Sequence, residues 1–477
     1  MANNVQHQTE PDSPAAEPKA RQVGGTEYSW CKAVPSGTGI TVLALLLSKQ
    51  PDISRLQNTL HLLQISHPIL RSKLHFDAAA ATFSFLTPPS PHLRVQLFDL
   101  SSTSAILSNN PNPSSINPHH FILEHEMNQN PWLDSNSLQS ELNLFFMSVY
   151  TLSENRWAVV LRIHSAACDR ASAAALLREM LQLVTGGGEV RELGSENDEI
   201  GMKIEDCIPK GKANKPFWVR GMDFVGYSLN SFRLSNLNFV DSVSPRCSQV
   251  LRLQMNSDQT RDLIEGCKSR GIKLCGALAA AGLIAAHSSK DVPDNQSQKY
   301  GVVTLVDCRS ILDPVISIQH LGFYHSAIMN SHDISRGDNL WEVAKRCYMS
   351  FTSAMNNNKH FTDMADLNFL MGKAIDNPGL TPSSSSRTAF LSVFEDPVMD
   401  DSTSMHQQLG VEDYVGCASV HGIGPSVALF DTIRDGCLDC ACVYPAPLHS
   451  REQMQKLVDD MKRILVDCCA NVDEGES

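Results

Sequence analysis

The residues best placed to do chemistry lie between Ala158 and Met180, where an apolar segment runs into His164 and Ser165, and Asp169 follows before a helical pattern begins. Polar groups at a strand end, backed by small residues, are typical of a site at a junction between elements. An imidazole, a hydroxyl and a carboxylate exposed there could carry acid–base or nucleophilic chemistry. The alternative is a solvated turn in which Asp169 caps the helix. Spacing alone favours the turn, since a histidine near an aspartate is a common accident.

Two series of strands and helices must position these residues, and an irregular stretch separates them. In the first half, the continuous apolar run Gly39–Leu47 predicts a buried strand. Leu144–Tyr150 and Trp157–Ile163 predict a β-hairpin. Helical spacing predicts helices over Ile53–Ile65 and Ala171–Val184. The first half is therefore expected to be a mixed α+β unit.

The second half repeats this mixture. Helices are predicted over Asp258–Arg270, Gly276–His287, Asn339–Met355, Phe361–Lys373 and Ser450–Cys468, and strands over Val250–Leu253, Gly301–Val306, Ala389–Phe394, Gly416–Val420, Val427–Ile433 and Leu438–Val443. The predicted organisation is a disordered tail (1–22), an N-terminal subdomain (23–188), a crossover linker (189–245), a C-terminal subdomain (246–470) and a short tail (471–477).

Composition excludes several function classes. Lys and Arg number 39 and Asp and Glu 52, which gives a formal net charge of −13. An acidic chain is a poor candidate for nucleic-acid binding or for an anionic membrane surface. Residues 1–22 contain no apolar signal segment, and the small-residue run Ala277–Ala286 is too short to span a bilayer. We therefore expect a cytoplasmic, soluble monomer without nucleic-acid partner or membrane insertion.

The chain has 14 cysteines. Without a signal segment they indicate reduced thiols rather than a disulfide framework. Cys437, Cys440 and Cys442 could hold a metal, but no second cysteine or histidine pair at zinc spacing supports that interpretation. Residues two apart share one face of a strand, so buried free cysteine is the favoured interpretation of Cys440 and Cys442.

The segment around Asp169 resembles the signature of the CoA-dependent acyltransferase superfamily, HHxxxDG or HxxxD between a strand and a helix. That superfamily includes chloramphenicol acetyltransferase, the plant BAHD acyltransferases, the mycobacterial polyketide-associated acyltransferases, the yeast-type alcohol acetyltransferases and the condensation domains of nonribosomal peptide synthetases. Further similarities follow in chain order over Val23–Cys468, at Gly37–Ile40, His67–Arg71, Cys267–Ala286, Val306–Arg309 and Leu321–Phe323. The BAHD motif DFGWG is absent, and His421–Pro425 (HGIGP) stands in its place, so the condensation and polyketide-associated branches are the more similar.

The departure from this signature matters as much as the match. Counting back from Asp169 places the family's catalytic histidine at Ser165, whose hydroxyl is not basic near neutral pH. His164 matches the first, non-catalytic histidine, and Arg170 replaces the glycine. His164 would reach the site only if the strand end bulged or slipped by one residue. Three further histidines fall near the expected subdomain interface, namely His320, His325 and His421.

The resemblance implies an α+β fold of two chloramphenicol-acetyltransferase-like subdomains, each a mixed sheet with helices, packed as a V around a central tunnel. It implies acyl transfer from acyl-CoA, as a co-substrate, to a small-molecule hydroxyl or amine acceptor, without metal or bound cofactor. His164 and Ser165 are then the candidate catalytic residues, and Asp169 pairs with Arg309 to hold the loop. The alternative is a catalytically degenerate paralogue that binds an acyl ligand or a protein, which Ser165 and Arg170 favour.

Overall fold

The computed structural model describes residues 17–109, 116–133, 141–186, 200–215, 234–290, 293, 295–377 and 385–470. The helices are α1 Gly25–Ala33, α2 Ile53–Ser66, α3 Pro68–Arg71, α4 Leu100–Leu107, α5 Pro118–Asn128, α6 Arg170–Thr185, α7 Ser257–Ser269, α8 Leu274–Ser288, α9 Leu340–Asn356, α10 Lys359–Thr362, α11 Met364–Asp376, α12 Thr403–Leu409 and α13 Arg451–Ala470. The strands are β1 Lys19–Gln22, β2 Thr38–Leu47, β3 Lys73–Asp77, β4 Thr82–Thr87, β5 Gln96–Phe98, β6 Leu142–Asn143, β7 Phe145–Ser153, β8 Arg156–His164, β9 Cys247–Gln254, β10 Gln298–Asp307, β11 His325–Ile334, β12 Arg387–Phe394, β13 Val398–Asp400, β14 Val411–Val420, β15 Gly424–Arg434 and β16 Cys437–Ala446.

The first half is built on a five-stranded sheet in the order β14-β2-β8-β7-β5. Every residue of β2 is buried, and its alternate side chains enter two different cores: Leu43 and Leu45 on one face, Val42 and Ala44 on the other. A strand covered on both faces needs a continuous apolar run, which is why the sequence of β2 shows no alternation. The predicted hairpin is β7–β8, paired antiparallel through the turn before Arg156.

The second half is built on a seven-stranded mixed sheet, β11-β10-β12-β15-β16-β9, with β13 paired to β15. Helix α8 packs on its face and is buried along most of its length. Its small residues permit close approach: a Cβ on Gly276 would lie 3.0 Å from the carbonyl oxygen of Ala344 in α9. Each half is thus a mixed sheet with helices, as the predicted fold class requires.

One strand crosses between the halves. β14 lies in the second half of the chain but pairs antiparallel with β2, so it completes the sheet of the first half. Arg252 of β9 pairs with both Asp413 of β14 and Asp439 of β16, which ties the crossing strand to the second sheet. The predicted boundary at 246 assigns every later residue to the second half, whereas β14 joins the sheet of the first half. The domain limits themselves stay a prediction.

The prediction of a disordered N-terminal tail is wrong for its last four residues. Residues 19–22, predicted as the end of a disordered tail, form β1 and pair with β4. Arg21 holds the strand in place, because its guanidinium donates to the Glu27 carboxylate at 2.6 and 2.9 Å and lies 5.1 Å from the ring centre of Phe85. Residues 1–16 and 471–477 lie outside the described residues. Within the predicted linker, the described parts hold one short 3-10 turn, Ile204–Cys207.

Two other expectations concern apolar and cysteine-rich segments. None of the helices in the described ranges is by itself both long and apolar enough to cross a membrane; α7 and α8 meet that criterion only together, and they are bent by 104°. Cys440 and Cys442 both point into the core of the second half and are fully buried. No group of three or more metal-ligating side chains occurs in the described part of the chain.

Candidate active site

Asp169 makes several hydrogen bonds at the junction of the two halves. It caps α6, because its Oδ1 accepts from the backbone N–H of Ser172 at 2.8 Å. Its Oδ2 accepts from the N–H of Tyr324 at 2.7 Å and lies 2.9 Å from Arg309 Nη2. Burial alone would raise the pKa of this carboxyl, but Arg309 and His325 hold it well below its usual range. Asp169 is therefore a buried carboxylate that links α6 to the start of β11.

Arg309 is the partner that the sequence predicted for Asp169. It follows β10 and also donates to Ser172 Oγ at 2.6 Å and to Asp307 Oδ1 at 2.9 Å. Its guanidinium lies 4.9 Å from the ring centre of Tyr324. Only 4% of the arginine side chain is exposed, so removal of either charge would leave the other buried without compensation.

A cavity of about 130 Å³ lies between the two halves, beside this cluster. It follows the space between β14 and β15, with Val420 and Pro425 near one end and Tyr414 and Thr432 near the other. Its lining is predominantly apolar. The contributing residues come from α1, β2, the β8–α6 junction, β14 and the second sheet with the segment before it: Trp30, Thr38, Gly39, Thr41, Leu43, Ser165, Cys168, Asp169, Arg170, Ala173, Ala174, Leu305, Phe323, His325, Ser392, Phe394, Val398, Gly416, Cys417, Ala418, Ser419, Ala428 and Phe430.

Ser165 faces this cavity, at the position where the resemblance places a catalytic histidine. Its Oγ lies 3.1 Å from Thr41 Oγ1, so the two hydroxyls share a hydrogen bond. Gly39, with φ +96°, passes close by; a Cβ there would lie 3.1 Å from Ser165 Oγ and 2.7 Å from the Trp30 ring. The glycine therefore keeps this part of the cavity open.

His164 is not among the cavity-lining residues. It is the last residue of β8, and strand alternation turns its side chain to the opposite face of the sheet. There its ring packs edge-on against Trp132 at 5.0 Å, and Nδ1 accepts from the N–H of Ala166 at 3.1 Å. Burial lowers the pKa of His164 to about 3, so it is neutral at physiological pH. No bulge brings it to the cavity.

His325 is the histidine that lines the cavity. It is the first residue of β11, and its Nδ1 lies 3.1 Å from Asp169 Oδ2. The imidazole packs between two aromatic rings, at 6.2 Å from that of Phe323 and 5.9 Å from that of Phe394. The imidazole and the Asp169 carboxylate are close enough for a charge interaction, but Nδ1 makes no hydrogen bond of good geometry within the described residues. The site therefore contains a carboxylate–imidazole pair, although not at the expected position in the chain.

The other two histidines predicted near the interface lie elsewhere. His421 bonds Ser248 Oγ at 3.0 Å through Nδ1, behind the loop that follows β14. His320 is solvent-exposed and packs edge-on against Tyr324. Neither belongs to the cavity lining.

Comparisons with known proteins bear on the fold. The family model for the phthiocerol/phthiodiolone dimycocerosyl transferase C-terminus matches residues 244–380. Trichothecene 15-O-acetyltransferase from Fusarium sporotrichioides superposes with a TM-score of 0.70 at 11% identity, over 97% of this chain and 100% of the other. Polyketide synthase associated protein 5 from Mycobacterium tuberculosis gives 0.65 at 15% identity, over 94% and 98%. No curated protein matches the chain in sequence.

The chain therefore has the fold of these acyltransferases, and residues 244–380 match a transferase family model. The condensation domain of the monacolin K polyketide synthase extends the comparison, with a TM-score of 0.62 at 10% identity over 96% of this chain and 99% of that one. At such identities the likeness establishes the two-subdomain fold and not an activity.

Within this fold, the structure shows which parts of the acyltransferase-like signature are retained and which are altered. Asp169 and Arg309 form the predicted pair, and Ser165 faces the cavity. Arg170, at the glycine position, extends along the cavity wall, and its guanidinium lies 4.1 Å from the ring centre of Phe394. The aromatic wall formed by Trp30, Phe394 and Tyr414 was not predicted, because nothing in the local sequence tells which aromatic residues of separate elements meet.

Proposed function

We propose that the protein transfers an acyl group from a CoA thioester to a hydroxyl or amine acceptor in the cavity between its halves, with His325 as the general base. The observation that carries this proposal is the His325 imidazole, which lines the cavity and lies 3.1 Å from the Asp169 carboxylate. A general base must reach the acceptor proton, and an imidazole in the cavity lining meets that requirement.

The chemistry is a balanced transfer. Nε2 of His325 takes the proton of the acceptor oxygen or nitrogen as that atom attacks the thioester carbonyl carbon. The tetrahedral intermediate then collapses, the carbon–sulfur bond breaks, and the imidazolium returns the proton to the departing thiolate. The products are the acylated acceptor and free CoA, and the imidazole is neutral again.

Asp169 acts in this proposal as a positioning residue. Its carboxylate, 3.1 Å from Nδ1, favours the tautomer that carries the proton on Nδ1 and leaves Nε2 as the acceptor nitrogen, and it stabilises the imidazolium that forms during transfer. Arg309 and the Tyr324 N–H hold the carboxylate in place at 2.9 and 2.7 Å. The charge pair is already buried before substrate binds, so little reorganisation is needed in the reaction.

The test is release of free CoA by the purified full-length protein, incubated with a panel of acyl-CoAs and pooled alcohols and amines. His325→Ala should lower turnover by about 100-fold or more, the usual contribution of a positioned base. His320→Ala is the matched control, since that histidine lies outside the cavity lining, and it should retain wild-type turnover. Turnover of His325→Ala within threefold of wild type, with both variants folded, would refute the role of His325.

A second candidate function rests on Ser165, which occupies the family's base position. Under this hypothesis the protein binds an acyl ligand without turnover. Ser165→His restores the imidazole of the signature. No CoA release by wild type, with release appearing in Ser165→His, would favour the binding function over the enzyme, because it would indicate an intact cavity that has lost its base.

A further inference from the structure

Arg170 crosses from one half of the molecule to the other at one end of the cavity. It is the first residue of α6, in the first half, and its Nη1 lies 3.0 Å from Asp431 Oδ1 on β15, in the second half. The guanidinium also donates to the backbone carbonyl oxygens of Asp431 and Asp396, the latter at 3.4 Å. Its face covers the Phe394 ring at 4.1 Å.

The position of this pair along the cavity can be read from the strands that form the walls. β14 and β15 are joined by the short segment after Val420, so Pro425 lies near Val420, and Thr432 lies near Tyr414 at the far end. Asp431 precedes Thr432 directly. Arg170 therefore lies at the Tyr414–Thr432 end, remote from the loop that joins the two strands.

The pair is fixed in place by burial. Asp431 is 1% exposed, and the side chain of Arg170 is 11% exposed. Parting two buried charges would leave each without compensation. The polar atoms of Arg170 point toward β15 and the segment after β12, and its stacking partner Phe394 is itself part of the cavity lining. Arg170 thus presents a wall to the cavity rather than a hydrogen-bonding group for a ligand.

We propose that Arg170 determines the length of the acyl group, by closing the cavity so that it accepts short acyl chains and excludes long ones. This inference rests on the proposed function, and it names its substrate class. A cavity of about 130 Å³ is close to the roughly 150 Å³ apolar cavity that binds benzene, so we expect acyl chains of up to about six carbons to fit. The signature's glycine at this position would leave the end open; here a guanidinium fills it.

The test uses the full-length protein with the double variant Arg170→Ala/Asp431→Asn. Removing both charges avoids a lone buried aspartate while opening the cavity end. Binding of butanoyl-CoA and dodecanoyl-CoA is measured by quenching of tryptophan fluorescence, since Trp30 lines the cavity, and CoA release is followed in parallel. Wild type should bind butanoyl-CoA at least tenfold more tightly than dodecanoyl-CoA. The double variant should gain at least tenfold in dodecanoyl-CoA affinity and keep butanoyl-CoA within threefold.

Arg178→Ala is the matched control, because Arg178 lies on the same helix but outside the cavity lining. It should keep the wild-type ratio of the two affinities. Phe394→Ala removes the ring on which the guanidinium stacks and keeps both charges of the pair, so it should shift the ratio in the same direction even if the double variant fails to fold. The proposal is overturned if the double variant and Phe394→Ala, where folded, keep the wild-type ratio. It is also overturned if wild type binds butanoyl-CoA and dodecanoyl-CoA equally.

The two proposals fail in different ways. Chain-length-dependent binding without CoA release from any acyl-CoA would refute the acyltransferase activity and support the role of Arg170. CoA release with a chain-length profile unaffected by the double variant or by Phe394→Ala would support the activity and refute that role. Absence of binding for both acyl-CoAs in wild type would refute both.

Discussion

Neighbouring residues at the end of β8 have opposite environments, and this decides their chemistry. Ser165 faces the cavity, whereas His164 is fully buried on the other face against Trp132. The alternation of strand side chains predicts this division from sequence alone. The identity of the histidine that does reach the cavity could not be predicted, because His325, His320 and His421 differ in position only through long-range pairing.

The buried His164 predicts a dependence of stability on pH. Burial lowers its pKa from 6.5 to about 3, so the native state leaves it neutral while the unfolded chain protonates it. Because the unfolded state binds more protons, His164 contributes stability above pH 6.5 that is lost progressively as the pH falls toward 3. Between pH 7.5 and 5.0 the loss from this one group is about 2 kcal/mol.

His164→Phe keeps an aromatic ring against Trp132 and removes the titration. The fall in the free energy of unfolding between pH 7.5 and 5.0, measured by urea denaturation, should therefore be about 2 kcal/mol smaller in the variant than in wild type. The variant also loses the acceptor for the Ala166 N–H, so its stability at pH 7.5 should be lower. Identical pH dependence of the two proteins would contradict a neutral, buried His164.

Local elements followed from sequence wherever the pattern was strong. The amphipathic helix predicted over Ala171–Val184 is α6, and Gly186 ends it with φ +85°. Strand β11 was missed, because its sequence, HSAIMNSHDI, is polar; it pairs only with β10 at the sheet edge, and several of its side chains are partly exposed. An edge strand needs little apolar pattern, and so it leaves a weak signal.

Gly39, the second residue of β2, predicts an element-scale test. Gly39→Ala forces a side chain into positive φ and places Cβ 2.7 Å from the Trp30 ring. Gly337→Ala is the matched control, with φ +83° and no atom within 4 Å of the added Cβ. Both should lose about 1–3 kcal/mol from backbone strain, and Gly39→Ala about 1–3 kcal/mol more from overpacking.

Urea denaturation of the two glycine variants measures this difference directly. A further consequence concerns the cavity: the added methyl of Gly39→Ala also lies 3.1 Å from Ser165 Oγ, so short-chain acyl-CoA binding should weaken in this variant and not in Gly337→Ala. Equal stability losses in the two variants would indicate that the Trp30 ring moves aside without cost.

At the scale of the whole molecule, the exchanged strand β14 joins the two halves into one folding unit. The sequence predicted β14 as a strand but could not assign it to a sheet, because pairing partners far apart in the chain leave no local pattern. β14 bonds to β2 along nearly its full length, and Arg252 links it to the second sheet through Asp413 and Asp439. If the first half unfolds, β14 loses its partner strand β2. The Arg252 contacts between β14 and the second sheet are then exposed to solvent.

This arrangement predicts that a core substitution in one half destabilises both. Leu161→Ala removes a fully buried side chain from β8 in the first half and should cost about 2–5 kcal/mol. Hydrogen–deuterium exchange of peptides from β8 and from β12 reports each half separately, at a urea concentration just below the unfolding transition, where global unfolding dominates exchange. The protection of both should fall by the same free energy, because the first sheet depends on β14 and Arg252 ties β14 to the second sheet. Leu429→Ala, in β15, is the reciprocal variant and should lower the protection of β8 equally. Loss of protection confined to the substituted half would mean that β14 can leave its sheet while the other half stays folded, and that the two halves are independent domains joined by a detachable strand.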